Sequence, residues 1–424
     1  SGQLEANKIE CIQGFDLVNM KMNPDLWIIG NVATRGMPVI EKIISDKKNY
    51  MSGPEFLSRK ILKDRPVIAV AGTHGKTTVT SIITWLLECA GIKPGFLIGG
   101  IPLNFGISAR VGKPNSPFVI EADEYDTSFF DKRSKFLHYA ADYVVLNNLE
   151  FDHADIFGDL DAIKRQFHHW IRTLGQSTVI YSNRKSNALD DVLSFGVWSN
   201  VKRFNDRQQL CLDWSNTNGK NSFQVFNGTN KLGFVDSPIS GEHNASNFLA
   251  AYGIASEFGV SFNQTVRYFK EFKGVKRRLE LIANVFDIKI YDDFAHHPTA
   301  VKKTIEALRN TSKILGTTNV NRLIVVFEPR SNSLKLGHGK HQLAESFKSA
   351  DVVYVYDGAV NWDVKSALNC LGQKVYVESN VQRILKRLSS QICKGDTVVF
   401  MSNGDFQGIL QAFVEILALK KPQR

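Results

Sequence analysis

The chain has 424 residues, of which 43% are hydrophobic and 22% charged, and its formal net charge is +10. That length exceeds what one hydrophobic core supports, so two or three domains are expected, and the composition is ordinary for a soluble globular protein. No apolar run approaches the length of a membrane-spanning helix, and the first residues do not resemble a signal peptide. Five scattered cysteines without metal-ligand or redox spacing predict reduced thiols in a cytoplasm: Cys11, Cys89, Cys211, Cys370 and Cys393.

The positive charge is scattered among acidic residues, and basic runs are as short as the one from Lys276 to Arg278. A chain that binds polyanionic small molecules, nucleotides above all, has this pattern. We therefore expect no nucleic-acid partner, and no platform for stacking bases is visible.

Residues 1–62 are short for a domain and are typical of part of a small α/β nucleotide-binding unit. Strands are predicted at 9–12 and 26–30, with a helix at 38–45. A helix over 54–62 would connect this unit to a central region, 63–282.

The stretch from Val67 to Thr78 predicts a buried parallel strand, a turn bracketed by glycines and the start of a helix. In this context a Gly-Lys-Thr sequence indicates phosphate binding, although only Thr73 and His74 separate Gly72 from Gly75. Lys76 would neutralise the β- and γ-phosphates, and the Thr77 hydroxyl would hold Mg²⁺. The alternative is a Gly-rich turn with a solvated lysine.

Acidic residues and a histidine follow the next two predicted strands, 118–120 and 143–146. Alternation of strands and helices favours a parallel, doubly wound sheet, in which ligands bind beyond the carboxyl ends of the strands. Glu121 and His153 lie there, and a carboxylate with a neutral imidazole can complete a divalent cation site near the γ-phosphate. Taken singly, each could be a surface group or a loop anchor.

Residues 196–240 predict a β-rich excursion, after which Gly241 to Asn247 open a helix over 248–258. A third α/β region begins near residue 284. Its predicted strands are 288–291, 323–327, 352–356, 375–377 and 397–401.

Two acids and two histidines lie between Asp292 and His297, where a strand ends and a helix begins. Helix capping would explain Asp292 or Asp293, but the four residues together favour a functional role. Arg330 follows another strand and could hold a carboxylate in a bidentate contact. Asn403 lies in what could be only a tight turn.

Five motifs together resemble those of the Mur ligases, the ATP-dependent amide-forming enzymes of peptidoglycan metabolism. They are Gly72 to Thr78, Glu121 to Glu124, Asn148 to His153, Gly241 to Asn247, and Asp292 to Pro298. The resemblance covers essentially the whole chain. It implies three domains: a partial N-terminal Rossmann-like UDP-sugar domain (1–62), a central P-loop ATPase-like ATP domain (63–282) and a C-terminal Rossmann-like peptide domain (283–424).

The resemblance also implies a role for each motif. Lys76, His153, Arg278 and Asp293 would be catalytic. ATP would contact Gly72, Thr73, His74, Gly75, Lys76, Thr77, Thr78, His243, Asn244, Asn247, Arg278 and Asp293. One Mg²⁺ would bind Thr77, and a second Mg²⁺ would bind Glu121 and His153. The acceptor substrate would contact Arg330, Ser331, Asn332 and Asn403.

The segments 121–139, 147–157 and 328–332 are most similar to family members that join UDP-N-acetylmuramate to a murein tripeptide in peptidoglycan recycling. That similarity implies an acyl phosphate intermediate, ATP and Mg²⁺ as cofactors, and a bacterial cytoplasmic enzyme for which a monomer is plausible. The alternatives are members that add L-alanine to the same UDP-sugar, and a non-catalytic nucleotide-binding regulator on the same fold.

Three features depart from the family pattern. The strand and Gly-rich loop that grip the UDP-sugar are missing ahead of Ser1, so either the chain is longer in nature or UDP binding is weakened. A carbamylated lysine of several members has no assigned equivalent, since Lys164 is out of register. Asp405 and Gln407 replace glycines near the expected peptide site.

Overall fold

The computed structural model describes residues 4–5, 7–21, 23–214, 221–314 and 322–419. Its N-terminal part contains two parallel strands, β1 (Trp27–Ile29) and β2 (Tyr50–Ser52), joined through helix α1 (Pro38–Ser45). Pro38 suits the first turn of α1, where no intrahelical N–H bond is lost. Val39, Ile40 and Ile43 of α1 pack in a small core with Ile29.

The strand predicted at residues 9–12 is wrong: the segment has no regular secondary structure and is exposed. Its short apolar pattern could form a strand only beside a partner strand, and β1 pairs only with β2 in the described sheet. A 3₁₀ turn follows at Leu17–Lys21. The predicted connection to the central region is confirmed as α2 (Gly53–Leu57) continued by a π-helical turn, Ser58–Leu62.

The central sheet is built around β3 (Val67–Ala71), whose five residues are all buried. Its order is β12-β11-β10-β9-β8-β7-β3-β6-β4-β5. The strands around β3 are parallel, as predicted, whereas β5, β11 and β12 introduce antiparallel pairs at the two edges. The other strands are β4 (Gly95–Leu97), β5 (Ala109–Arg110), β6 (Phe118–Ala122), β7 (Tyr143–Leu146), β8 (Val179–Asn183), β9 (Asn200–Phe204), β10 (Leu210–Asp213), β11 (Ser222–Asn227) and β12 (Asn230–Asp236).

Helices cover both faces of this sheet, which confirms the doubly wound arrangement. One core contains apolar residues of three helices, α3, α6 and α7, and the other contains those of α4 and α5. The helices are α3 (Lys76–Cys89), α4 (Leu160–Ile171), α5 (Asn187–Ser194), α6 (Glu242–Glu257) and α7 (Phe262–Phe269). A 3₁₀ turn at Lys135–His138 lies between β6 and β7.

The C-terminal sheet has the order β13-β14-β18-β15-β16-β17, and all its pairs are parallel except that between β13 and β14. Its strands are β13 (Glu280–Val285), β14 (Ile288–Asp293), β15 (Leu323–Phe327), β16 (Val352–Tyr356), β17 (Val375–Glu378) and β18 (Thr397–Met401). The five predicted strands are confirmed. β13 was not predicted, and it places residues 280–282 within this sheet.

The helices of the C-terminal unit are α8 (Pro298–Ile314), α9 (Asn332–Lys335), α10 (Lys340–Ser346), α11 (Val364–Leu368), α12 (Val381–Gln391) and α13 (Ile409–Leu419), with 3₁₀ segments at Asn369–Lys374 and Phe406–Gly408. The carboxyl ends of β14, β15 and β18 are level with one another, because Met401 of β18 lies opposite both Asp293 and Phe327. The polar residues that follow these three strands therefore meet at one edge. Among the residues that the structure describes, no helix is long and apolar enough to cross a membrane.

Candidate active site

A cavity of about 1530 Å³ lies between the carboxyl edge of the central sheet and the C-terminal unit. Its lining includes the whole stretch from Thr73 to Thr78 and residues that follow β6, β7 and β14. Of the residues predicted to bind ATP or metal, all but Gly72 line it directly. The fold therefore brings together side chains that are far apart in the chain.

The turn between β3 and α3 approaches neighbouring groups so closely that two glycines are required. A Cβ atom on Gly72 would lie 2.9 Å from the carbonyl oxygen of Asn148, and one on Gly75 would lie 2.7 Å from Nδ2 of Asn147. Both glycines have positive φ, 141° and 81°, which disfavours other residues. Asn148 also accepts the backbone N–H of His74 at 2.8 Å and donates to its carbonyl at 2.9 Å. The loop is therefore held in a fixed shape at the start of α3, where backbone N–H groups can face an anion.

Lys76 is the first residue of α3, and its ammonium group lies 2.9 Å from Glu124. Glu124 is only 3% exposed and also lies 3.1 Å from Nε2 of His153. Burial raises the pKa of Glu124, but the charges of Lys76 and His153 outweigh it and hold that pKa at about 2. Burial lowers the pKa values of Lys76 and His153, but the neighbouring Glu124 carboxylate outweighs burial, so both pKa values are raised. Glu124 therefore links Lys76 to His153, and both of these residues line the cavity.

Glu121 and Thr77 form a second polar pair that lines the cavity. Glu121 accepts the backbone N–H of Gly99 at 2.7 Å, and burial raises its pKa while Lys76 and Arg278 oppose that shift. A carboxylate and a hydroxyl are hard oxygen ligands, so they fit Mg²⁺. His153 has both ring nitrogens engaged, Nε2 by Glu124 and Nδ1 by the Tyr125 hydroxyl at 3.0 Å, so it would have to leave Glu124 to bind a cation through Nε2.

Arg278 reaches this pair from the segment that joins the two sheets. Its Nη2 donates to Oγ1 of Thr77 at 3.3 Å, and its guanidinium lies 4.7 Å from the ring centre of Phe294. Burial lowers the pKa of Arg278, which Asp293 and Glu121 partly offset.

Asp293, at the end of β14, fixes that joining segment. Its carboxylate accepts the backbone N–H groups of Leu279 at 2.6 Å and Ala295 at 2.7 Å. Burial raises the pKa of Asp293 to about 6, against the lowering effect of Arg278. Asp293 thus holds the connection between the two units, while Asp292 pairs with Arg277 at 3.1 Å.

His243, Asn244 and Asn247 lie in the first turns of α6 and line the same cavity. Asn247 donates to Asn244 at 3.1 Å and accepts from Asn147 at 3.1 Å, which links α6 to the turn before α3. Burial lowers the pKa of His243 to about 4, so its imidazole is neutral at pH 7.

Arg330, Ser331, Asn332 and Asn403 do not line this cavity. Arg330 lies 3.2 Å from Asp405, and Ser331 caps α9 by accepting the N–H of Leu334 at 3.3 Å. Oδ1 of Asn403 is buried without a hydrogen-bond partner among the described residues. Lys164, left unassigned by the sequence, pairs with Asp191 and Asp161 away from the cavity.

Several residues at the site were not predicted, because their partners come from distant parts of the chain. Glu124 lay inside a recognised motif without a role of its own, and Tyr125 follows it. Contacts between the two units were also missed: Ser333 donates to Asp152 at 2.8 Å, and Thr299 donates to Glu150 at 2.6 Å. The acidic residues that follow β6 and β7 were the sequence feature that could have indicated both Glu124 and the contacts between the two units.

Two family models match the chain. That of the Mur ligase middle domain covers residues 70–255, and that described as the Mur ligase glutamate ligase domain covers residues 277–404. The two matches contain every predicted nucleotide and metal residue.

Three similar proteins cover most of the chain. The UDP-N-acetylmuramate–L-alanyl-γ-D-glutamyl-meso-2,6-diaminoheptandioate ligase of Haemophilus influenzae is 42% identical, over 98% of this chain and 91% of its own length. The UDP-N-acetylmuramate–L-alanine ligase of Roseiflexus castenholzii is 30% identical, over 88% and 78%. A crystal structure of a murein peptide ligase from Psychrobacter arcticus has a TM-score of 0.72 and 38% identity, over 99% of this chain and 92% of that chain.

Proposed function

The chain belongs to the Mur ligase family, and on this premise we propose that it is an ATP-dependent ligase of peptidoglycan recycling. It would join the carboxylate of UDP-N-acetylmuramate to the amine of L-alanyl-γ-D-glutamyl-meso-diaminopimelate. The observation that carries the choice of acceptor is the 42% identity over nearly the full length to a ligase named for that peptide, against 30% to the L-alanine ligase.

The reaction consists of two displacements. A lactyl carboxylate oxygen attacks the γ-phosphorus of ATP, the bond to the β,γ-bridging oxygen breaks, and ADP leaves with the electron pair. The neutral amine of the peptide then attacks the acyl carbon, and inorganic phosphate leaves as the amide forms. One proton is released from the amine.

The main task of the protein in such a transfer is positioning and neutralisation of charge. We assign the phosphate-facing role to the turn from Gly72 to Thr78. While no nucleotide is bound, Glu124 keeps the Lys76 ammonium charged and oriented toward the cavity. When ATP binds, Lys76 would leave Glu124 and contact the phosphoryl group that is transferred. Arg278, already 3.3 Å from Thr77, would add a second positive charge on the same side.

Thr77 and Glu121 are the residues that would hold Mg²⁺, and His153 would join a second cation. Bound there, Mg²⁺ would withdraw charge from the phosphate oxygens. His243, Asn244 and Asn247 are assigned to the adenine, because a neutral imidazole and two amides can exchange hydrogen bonds with a base edge.

The acceptor would bind on the C-terminal side, where Arg330 and Asn403 lie beside one another in the fold. Arg330 presents a partly exposed guanidinium whose partner, Asp405, is itself 81% exposed and can be displaced by a substrate carboxylate. The buried, unpaired Oδ1 of Asn403 could accept a donor from the peptide. Ser331 and Asn332 would complete the contact. Since ATP and a UDP-sugar are cytoplasmic metabolites, we place the reaction in the bacterial cytoplasm.

Phosphate release measured with UDP-N-acetylmuramate, ATP and Mg²⁺ tests the proposal, with the tripeptide and L-alanine supplied in separate reactions. We expect turnover with the tripeptide and little with L-alanine. Turnover with L-alanine alone would make the chain a single-amino-acid ligase. Absence of turnover with either acceptor would favour a non-catalytic nucleotide-binding regulator.

A further inference from the structure

A second group of ligand-type side chains lies beside the proposed nucleotide site, and the reaction described above gives their imidazole and carboxylate groups no step. It consists of His74 in the turn before α3, Glu150 after β7, and His297 just ahead of α8. One ligand atom from each lies within 4.8 Å of the others, and this is the one such group of His, Cys, Asp or Glu among the described residues. The group joins the central unit to the C-terminal unit.

The distances are those of a site that a small cation would draw together. Oε2 of Glu150 lies 3.5 Å from Nε2 of His74 and 3.9 Å from Nδ1 of His297. Ligand atoms of a tetrahedral zinc site stand about 3.3 Å apart, given Zn–N bonds of about 2.0–2.1 Å. The two imidazole rings are tilted by 47° to each other, with their centres 4.7 Å apart. Closing the two nitrogen-to-carboxylate distances to about 3.3 Å takes shifts of about 0.2 Å and 0.6 Å.

The bonding state of the three groups also suits a metal. Nε2 of His74 is buried, and its distance of 3.5 Å to Oε2 of Glu150 is longer than that of a normal hydrogen bond. Nδ1 of His297 accepts the backbone N–H of Thr299 at 3.3 Å, so this nitrogen carries a lone pair, which a cation would take over from that long bond. The Thr299 hydroxyl fixes the carboxylate at 2.6 Å, as the outer groups of metal sites do.

From this geometry we infer that His74, Glu150 and His297 form a binding site for a zinc-class transition cation that bridges the two units. Two imidazoles and one carboxylate suit Zn²⁺, Co²⁺ or Ni²⁺, whereas Mg²⁺ prefers oxygen ligands alone. The site is separate from the Thr77 and Glu121 pair. It leaves a coordination position for water, because three side chains supply three of four ligands. The bound cation holds α8 against the turn before α3.

Cobalt binding tests this inference without depending on the ligase activity. The full chain, freed of metal, is titrated with Co²⁺ in excess Mg²⁺, and visible absorption and calorimetry are recorded. We expect one Co²⁺ per chain with the visible bands of a tetrahedral nitrogen and oxygen site, displaced by Zn²⁺. No binding, or a near-ultraviolet thiolate band that indicates the cysteines, overturns it.

Substitution of the proposed ligands tests whether the cation binds at this group of residues. His297→Ala and Glu150→Gln should each weaken Co²⁺ binding at least tenfold, while His169→Ala, an exposed histidine on α4, should bind as the parent chain does. Unchanged affinity in both site variants contradicts the assignment. Because the parent spectrum needs no substitution, the inference stays testable if a variant fails to fold. Failure of ligase activity with intact cobalt binding would count only against the proposed function.

Discussion

Substitution of Gly75 by alanine tests the shape of the phosphate loop against a matched control at the other end of the same helix. Gly75 precedes α3 with φ of 81°, and Gly91 follows α3 with φ of 79°. Alanine in this backbone region costs about 1 kcal/mol at either position. The two sites differ in the room that they leave for a side chain, since a Cβ on Gly91 would meet no atom beyond its chain neighbours within 4 Å.

At Gly75 the added Cβ would lie 2.7 Å from Nδ2 of Asn147 and 2.9 Å from Oδ1 of Asn247. Those two atoms form a 3.1 Å hydrogen bond, and Asn147 also donates to the His74 carbonyl at 3.0 Å. Loss of one or two such bonds costs about 1–3 kcal/mol. Gly75→Ala should therefore lower the free energy of unfolding by about 2–4 kcal/mol, and Gly91→Ala by about 1 kcal/mol.

The same displacement moves backbone N–H groups away from the phosphates. We expect Gly75→Ala to weaken ATP binding at least tenfold, which corresponds to about 1.4 kcal/mol, with no change for Gly91→Ala. Urea unfolding and calorimetric ATP titration in the presence of Mg²⁺ measure the two effects. Equal ATP affinity of the two variants would refute the close packing on which the loop assignment depends.

Three further outcomes follow from the charged groups. Lys76→Ala should slow ADP formation with both substrates present by about 100-fold or more, measured with a coupled assay, and turnover within a factor of three of the parent would reject its role. Glu124→Ala should lower the free energy of unfolding by about 3–5 kcal/mol in urea at pH 7, because Lys76 is left buried without its counter-charge, and a loss below 1 kcal/mol would contradict the burial of that pair. Asp293 has its pKa raised to about 6, so the folded state retains the proton to higher pH than the unfolded chain and loses stability as pH rises from about 4 to 6. Between pH 4 and pH 7, the unfolding free energy of Asp293→Asn relative to the parent should rise by about 2.4 kcal/mol, and a difference independent of pH would show that Asp293 is not buried as a carboxylate.

The sequence predicted the elements that local pattern determines. Strands β15, β16 and β18 have the predicted bounds, because buried β-branched runs flanked by turn residues specify a strand almost alone. The gathering of the predicted ATP and metal residues around one cavity also follows from the sequence, since parallel strands bring their carboxyl ends to one edge.

Features that depend on distant partners could not be predicted. The apolar pattern at 9–12 forms no strand, and β13 exists because β14 offers it an antiparallel edge. The role of Glu124 depends on contacts with Lys76 and His153 that only the folded sheet provides. Likewise, Glu150 and His297 are separated by most of the central unit and meet only where the two units pack together.

Oxygen labelling tests directly whether the γ-phosphoryl group is transferred to a substrate carboxylate. UDP-N-acetylmuramate labelled with ¹⁸O in both lactyl carboxylate oxygens is converted with ATP and the tripeptide, and the released phosphate is analysed by mass spectrometry. We expect one ¹⁸O in each phosphate, because the bridging oxygen of the acyl phosphate leaves with phosphorus. Phosphate that carries no ¹⁸O would contradict that transfer.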